Sequence, residues 1–146
     1  MENEHDYKQR ILELARQAGG MLTTDDVLHD AINPDSVLHR HFEWDDSRAA
    51  IEHRKYQARQ LIQSVKITFA HAPTVQVNAL VSIPSDRNAG GGYRFAADIL
   101  TGPEKIRQEF LEEVWRKAAY WTSQAKVFAP GKLPVIEQFV IDMKAS

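Results

Sequence analysis

The apolar residues of this chain change their spacing once, at Val65. Before it, Ala50, Ile51, Ala58, Leu61, Ile62 and Val65 fall on one face of a helix when residues are placed about 100° apart. After it, Val65, Ile67 and Phe69, then Val75, Val77, Ala79, Val81 and Ile83, alternate with other residues, which is the period of a strand. A chain that switches period in this way is committed to an α+β fold. It should carry a helix over about residues 47–65 that leads into a β-hairpin of residues 66–70 and 74–83, turning at Ala72-Pro73.

Two shorter helices precede that element. Ile11, Leu12, Leu14, Ala15 and Ala18 suit a helix over 5–18, which Gly19-Gly20 ends as glycine does at a helix C-terminus. Thr23 or Thr24 can cap a second, with Asp25 and Asp26 in its first turn, Val27, Leu28 and Ala31 buried, and Asn33-Pro34-Asp35 as its break. Residues 36–44 read as an ordered turn holding Leu38, Phe42 and Trp44 against the core, and Asp45, Asp46 or Ser47 would cap the third helix. Three helices and then a hairpin is the element order of a winged helix.

Downstream, residues 84–92 read as a loop and 93–100 as a third strand. Thr101-Gly102-Pro103 opens a long helix ending near Phe128, with Ile106, Phe110, Val114, Trp121 and Ala125 on one stripe and Lys117 at its edge. Ala129-Pro130-Gly131 breaks it, and a short helix over 133–143 closes the chain. With 146 residues, one domain is the expectation: a winged-helix-like part over 1–83, then a strand and two helices over 93–146.

The formal net charge of −2 hides an uneven distribution. Residues 1–47 carry 11 acids and 4 bases, whereas residues 48–66 carry 5 bases and 1 acid. A basic segment in an acidic chain points to a polyanionic partner. The absence of cysteine excludes disulfides, thiolate metal sites and cysteine nucleophiles. No stretch reaches the roughly 18 apolar residues of a membrane span, and MENEHDYKQR lacks the basic start and apolar run of a secretory signal. Cytoplasmic residence and no membrane partner follow as expectations.

The third helix carries the main functional signal. Its polar face holds Arg48, Glu52, Tyr56, Arg59, Gln60 and Gln63, with Lys55 beside it and Lys66 just beyond. In a winged helix this helix lies in the major groove, so Arg48, Lys55, Arg59 and Lys66 would meet phosphates and Gln60 or Gln63 would reach bases. The same face also fits a merely solvated surface. Arg54 falls inside the apolar arc, where a guanidinium requires a partner; Asp45 or Asp46, one or two turns earlier, is the available one.

The block Leu22-Thr23-Thr24-Asp25-Asp26-Val27, Val37-Leu38-His39-Arg40-His41-Phe42-Glu43-Trp44-Asp45-Asp46, Ala49-Ala50, Arg54 and Gln57-Ala58-Arg59-Gln60-Leu61-Ile62 resembles one recurring in small uncharacterised phage and prophage proteins. The likeness covers about residues 20–65 and extends more vaguely through Gly92-Tyr93-Arg94. It implies a phage origin and a life in the host cytoplasm, and it supplies no catalytic residues.

Other constellations are weaker. His39, His41, Glu43, Asp45, Asp46 and His53 include metal-ligand types, but their spacing matches no established site. Gly90-Gly91-Gly92 lacks the Lys-Ser/Thr of a phosphate loop and reads as a mobile loop, and no nucleophile elbow is present. Neither a metal, a cofactor nor an enzymatic activity is expected. Trp121 joins the stripe of the long helix, whereas Trp115 and Tyr120 fall off it and could form a protein interface. Two functions therefore stand side by side: binding of DNA in phage DNA transactions or transcriptional control, and binding of a phage or host protein, an inhibitor of bacterial defence included. A homo-oligomer is compatible with either.

Overall fold

Tyr7, Ile11, Leu14 and Ala15 recur at helical spacing on α1 (Glu2–Gln17) and are all buried. The computed structural model describes residues 2–44 and 48–129 and the single positions 131, 138, 141, 142 and 145, without the side chains of 2–5, 48 and 49. The expected caps Asp45, Asp46 and Ser47, and most of the expected helix over 133–143, lie outside the described residues.

Helix α1 ends as the glycine pair predicts. Gly19 and Gly20 take φ of 69° and 86°, and their N–H groups close onto the carbonyls of Arg16 at 3.0 Å and Ala15 at 2.8 Å. A two-residue strand, β1 (Met21–Leu22), then leads into α2 (Thr24–Ile32). Thr23 and Asp26 form a reciprocal capping box, with the Asp26 N–H donating to Thr23 Oγ1 at 3.1 Å and the Thr23 N–H to Asp26 Oδ2 at 2.8 Å. A 3-10 turn at His39–His41 seats Leu38 and Phe42 in the core before α3 (Arg48–Ser64) begins. Ala58 and Ile62 of α3, with Val65 just after it, close that core against α1, α2 and Leu80. Ile51, expected on the buried face, is instead 48% exposed, because the core contacts of α3 are made by its second half.

After α3 the chain departs from the expected hairpin. Strands β2 (Lys66–Phe69) and β3 (Ala72–Asn78) do pair antiparallel, but they turn at Ala70-His71, two residues earlier than Ala72-Pro73. Val75 and Val77 lie open, so the alternation of β3 does not mark a face packed on the core, whereas Ile67 of β2 does pack against it. A separate three-stranded sheet holds β1, β4 (Leu80–Val81) and β5 (Tyr93–Phe95) in the antiparallel order β1-β5-β4. Helix, strand, two helices, then a pair of strands whose second member pairs back to the first strand is the winged-helix connectivity. Its wing is therefore the segment between β4 and β5, and the β2–β3 hairpin is an insertion ahead of it.

That segment is not the plain loop expected over 84–92. It contains a short helix, α4 (Pro84–Asn88), after which Gly90, Gly91 and Gly92 take φ of 106°, 85° and 134° to return the chain to β5. The expected strand over 93–100 likewise stops at Phe95 and becomes α5 (Ala96–Thr101).

The chain divides into two compact units, 1–101 and 102–146. All the elements above belong to the first. The second contains α6 (Glu104–Phe128), preceded by Pro103. Ile106, Phe110 and Val114 of its stripe are half-buried, but Trp121 is 67% exposed, a correction to its assignment as a packing residue. Among the described residues no helix is long and apolar enough to cross a membrane.

Candidate nucleic-acid interface

The inner side of α3 fixes which side faces out. With Ala58 and Ile62 against the core, Glu52, His53, Tyr56, Arg59, Gln60 and Gln63 are exposed. Arg59 has no ion-pair partner among the described residues, and Gln60 and Gln63 stand one turn apart beside it, so a cation and two amides share one surface. Tyr56 is 53% exposed and its ring lies 6.4 Å from that of His53. The sequence put Tyr56 on this face, and the aromatic pair it forms with His53 follows from the three-residue spacing.

The other expected cations are less available. Lys55 is half-buried, with Nζ 3.5 Å from Glu52 Oε1. Lys66 is exposed on β2, where its ammonium donates to Asn78 Oδ1 across the hairpin. The side chain of Arg48 lies outside the described residues.

Arg54 is half-buried, as its place in the apolar arc requires. Its Nε donates to the Glu43 carbonyl at 2.8 Å and its guanidinium sits 5.1 Å from the Trp44 ring centroid. The expected acids Asp45 and Asp46 lie outside the described residues. Arg54 thus clamps the segment before α3 onto the helix, and Trp44 is held from the other side by stacking on His39 at 4.8 Å and by donating from Nε1 to the His39 carbonyl at 3.0 Å.

The histidines serve this packing. His39 Nδ1 donates to the Ala31 carbonyl at 2.7 Å, and the His41 ring lies 4.8 Å from that of Tyr7. Burial, with the nearby Arg40 charge adding to it, holds the His41 imidazole below the ordinary histidine range. Among the described residues no group of three histidines or acids is placed to hold a metal ion.

Several acids of the first 47 residues are engaged inside the fold. Asp26 closes the capping box. Asp30 accepts from Arg10 Nη2 at 2.5 Å and from Ser36 Oγ at 2.5 Å. Burial alone would raise the Asp30 carboxyl, but these hydrogen bonds and the Arg10 charge outweigh it and hold the group below the usual range.

No protein-family model, curated protein or solved structure matches the chain. What the site does must be argued from its own geometry.

Two further features escaped sequence reasoning. Asp86 of α4 is 7% exposed and accepts a bidentate pair from Arg94 of β5, Nε to Oδ2 at 2.6 Å and Nη2 to Oδ1 at 2.7 Å. This fork ties the β4–β5 segment to the sheet, so the glycine run is anchored at both ends. In the second unit, Trp115 is half-buried rather than open. Tyr120 is 58% exposed as expected, but its aromatic partner is Trp121, edge-on at 5.3 Å, and not Trp115.

Proposed function

We propose that this protein binds nucleic acid through the exposed face of α3 and acts in phage DNA transactions or transcriptional control. The observation that carries the reading is the outward presentation of Arg59, Gln60 and Gln63 on the third helix of a winged-helix connectivity. Arg59 contacts phosphate, and Gln60 or Gln63 reads a base edge, since a glutamine amide can donate to and accept from adenine together. Lys66 and Arg48 add phosphate contacts at the two ends of the helix. Tyr56 and His53 widen the surface with rings able to lie against sugar or base. Of the acids in the first 47 residues, Asp30 is offset locally by Arg10. On this reading the protein is a binding module of the host cytoplasm and not an enzyme, and its phage origin rests on the resemblance of residues 20–65.

One observation favours a second reading, a protein-interaction factor: the open Tyr120–Trp121 pair on α6. Fluorescence anisotropy with labelled duplex and single-stranded DNA at low salt separates the two. Binding at micromolar protein, weakened by Arg59→Ala in a variant that keeps its circular dichroism, supports the α3 reading. No binding to either form refutes it.

A further inference from the structure

We propose that α6 pairs antiparallel with α6 of a second copy of this chain, through the face that bears Trp121 and Phe128. Four large apolar side chains stand open within nine residues: Tyr120 at 58%, Trp121 at 67%, Val127 at 73% and Phe128 at 81%. They are spaced i, i+1, i+7 and i+8, which places them on one side of the helix. A contiguous patch of this kind on a soluble chain marks a contact surface.

The pattern indicates a helical occupant. Val114, Trp121 and Phe128 repeat every seven residues, as do Phe110, Lys117 and Gln124, and Ile106, Tyr120 and Val127 widen the seam. A seven-residue apolar repeat is the form in which one helix packs along another, and isolated polar residues within it select register and partner number. Lys117 and Gln124 are such residues here.

Charge selects the same chain as the partner, and its direction. Residues 104–113 of α6 carry four acids and two bases, whereas residues 116–128 carry three bases and no acid. An antiparallel copy sets the acidic half of each helix beside the basic half of the other and opposes the two helix dipoles. A parallel copy brings like halves together. A nucleic acid or an anionic lipid surface lying along the helix would set its own negative charge against the acidic half.

The test is the mass of the full chain by light scattering across the micromolar range. The parent should run at twice 16.6 kDa. Trp121→Gln with Phe128→Gln should halve that mass at unchanged circular dichroism, because both side chains are open in the single chain. Direction is read by introducing one cysteine into this cysteine-free sequence. A mixture of Ile106→Cys and Val127→Cys chains should form mixed disulfides, while Val127→Cys alone should not cross-link. A monomer at every concentration overturns the proposal, as does Val127→Cys cross-linking to itself. A monomer that binds DNA or anionic vesicles, with binding lost in the Trp121→Gln, Phe128→Gln variant, overturns it in favour of that occupant. This outcome is independent of the α3 reading, which Arg59→Ala alone addresses.

Discussion

Replacing Arg94 by methionine should be among the most damaging single changes in the first unit. Asp86 is 7% exposed and its carboxylate takes both of its short charged hydrogen bonds from Arg94, so the substitution leaves a negative charge facing an apolar side chain. Breaking a fully buried pair in this way costs about 3–5 kcal/mol. The Arg94 side chain is 31% exposed, which lets water reach the vacated position, so the loss should lie near the lower end, about 3 kcal/mol. At roughly 4 °C per kcal/mol for a chain of this size, thermal unfolding followed by circular dichroism should move down by about 12 °C. Asp86→Ala should cost less, because the guanidinium left behind is the more hydrated partner. The double variant, Asp86→Ala with Arg94→Met, should recover part of the loss seen with Arg94→Met alone, the coupling expected of a buried pair. Arg94→Met melting with the parent would refute the argument, and so would a double variant no more stable than Arg94→Met.

Two further outcomes follow from the packing around β1 and the 3-10 turn. The neutral His41 ring is the native form, so the unfolded chain takes up its proton first as pH falls below the ordinary value of 6.5, and stability declines from there to the depressed native value. Melting temperature should therefore drop as pH falls below about 6.5, and His41→Gln should flatten that drop; an equal slope in both would exclude His41 as its source. At Gly92, with φ of 134°, a β-carbon would lie 2.6 Å from Met21 Sδ, so Gly92→Ala should destabilise by more than about 1 kcal/mol, whereas Gly90→Ala, with open space around it, should cost less in the same denaturant titration.

Much of the first unit was legible because its signals are local or periodic. The run Ala58, Ile62, Val65 announces the buried side of α3 at 3.6-residue spacing, and Thr23 with Asp26 three residues on announces a capped helix. Arg54 was legible as a guanidinium needing a partner, although a backbone carbonyl and the Trp44 ring proved to be among its partners. The wing was misplaced because alternation runs unbroken from Val75 to Ile83 through both β3 and β4. Sequence alone does not say that the chain changes sheets at Ala79. Helices α4 and α5, five and six residues long, are too short to display a period. The Asp86–Arg94 fork joins a helix to a strand across a turn, and no spacing rule encodes that. Trp121 was misread because periodicity finds an apolar face but not whether the same chain covers it.

The central claim is that Arg59 on the open face of α3 neutralises a phosphate. Its most direct test is the slope of log K against log salt, measured by anisotropy on one duplex for the parent and for Arg59→Ala. Each phosphate contact contributes about 0.9 to that slope. The account predicts a parent that loses affinity steeply with salt, and an Arg59→Ala variant that binds more weakly with a slope shallower by about 0.9. Identical slopes and affinities in the two proteins, or no binding by the parent at low salt, would contradict it.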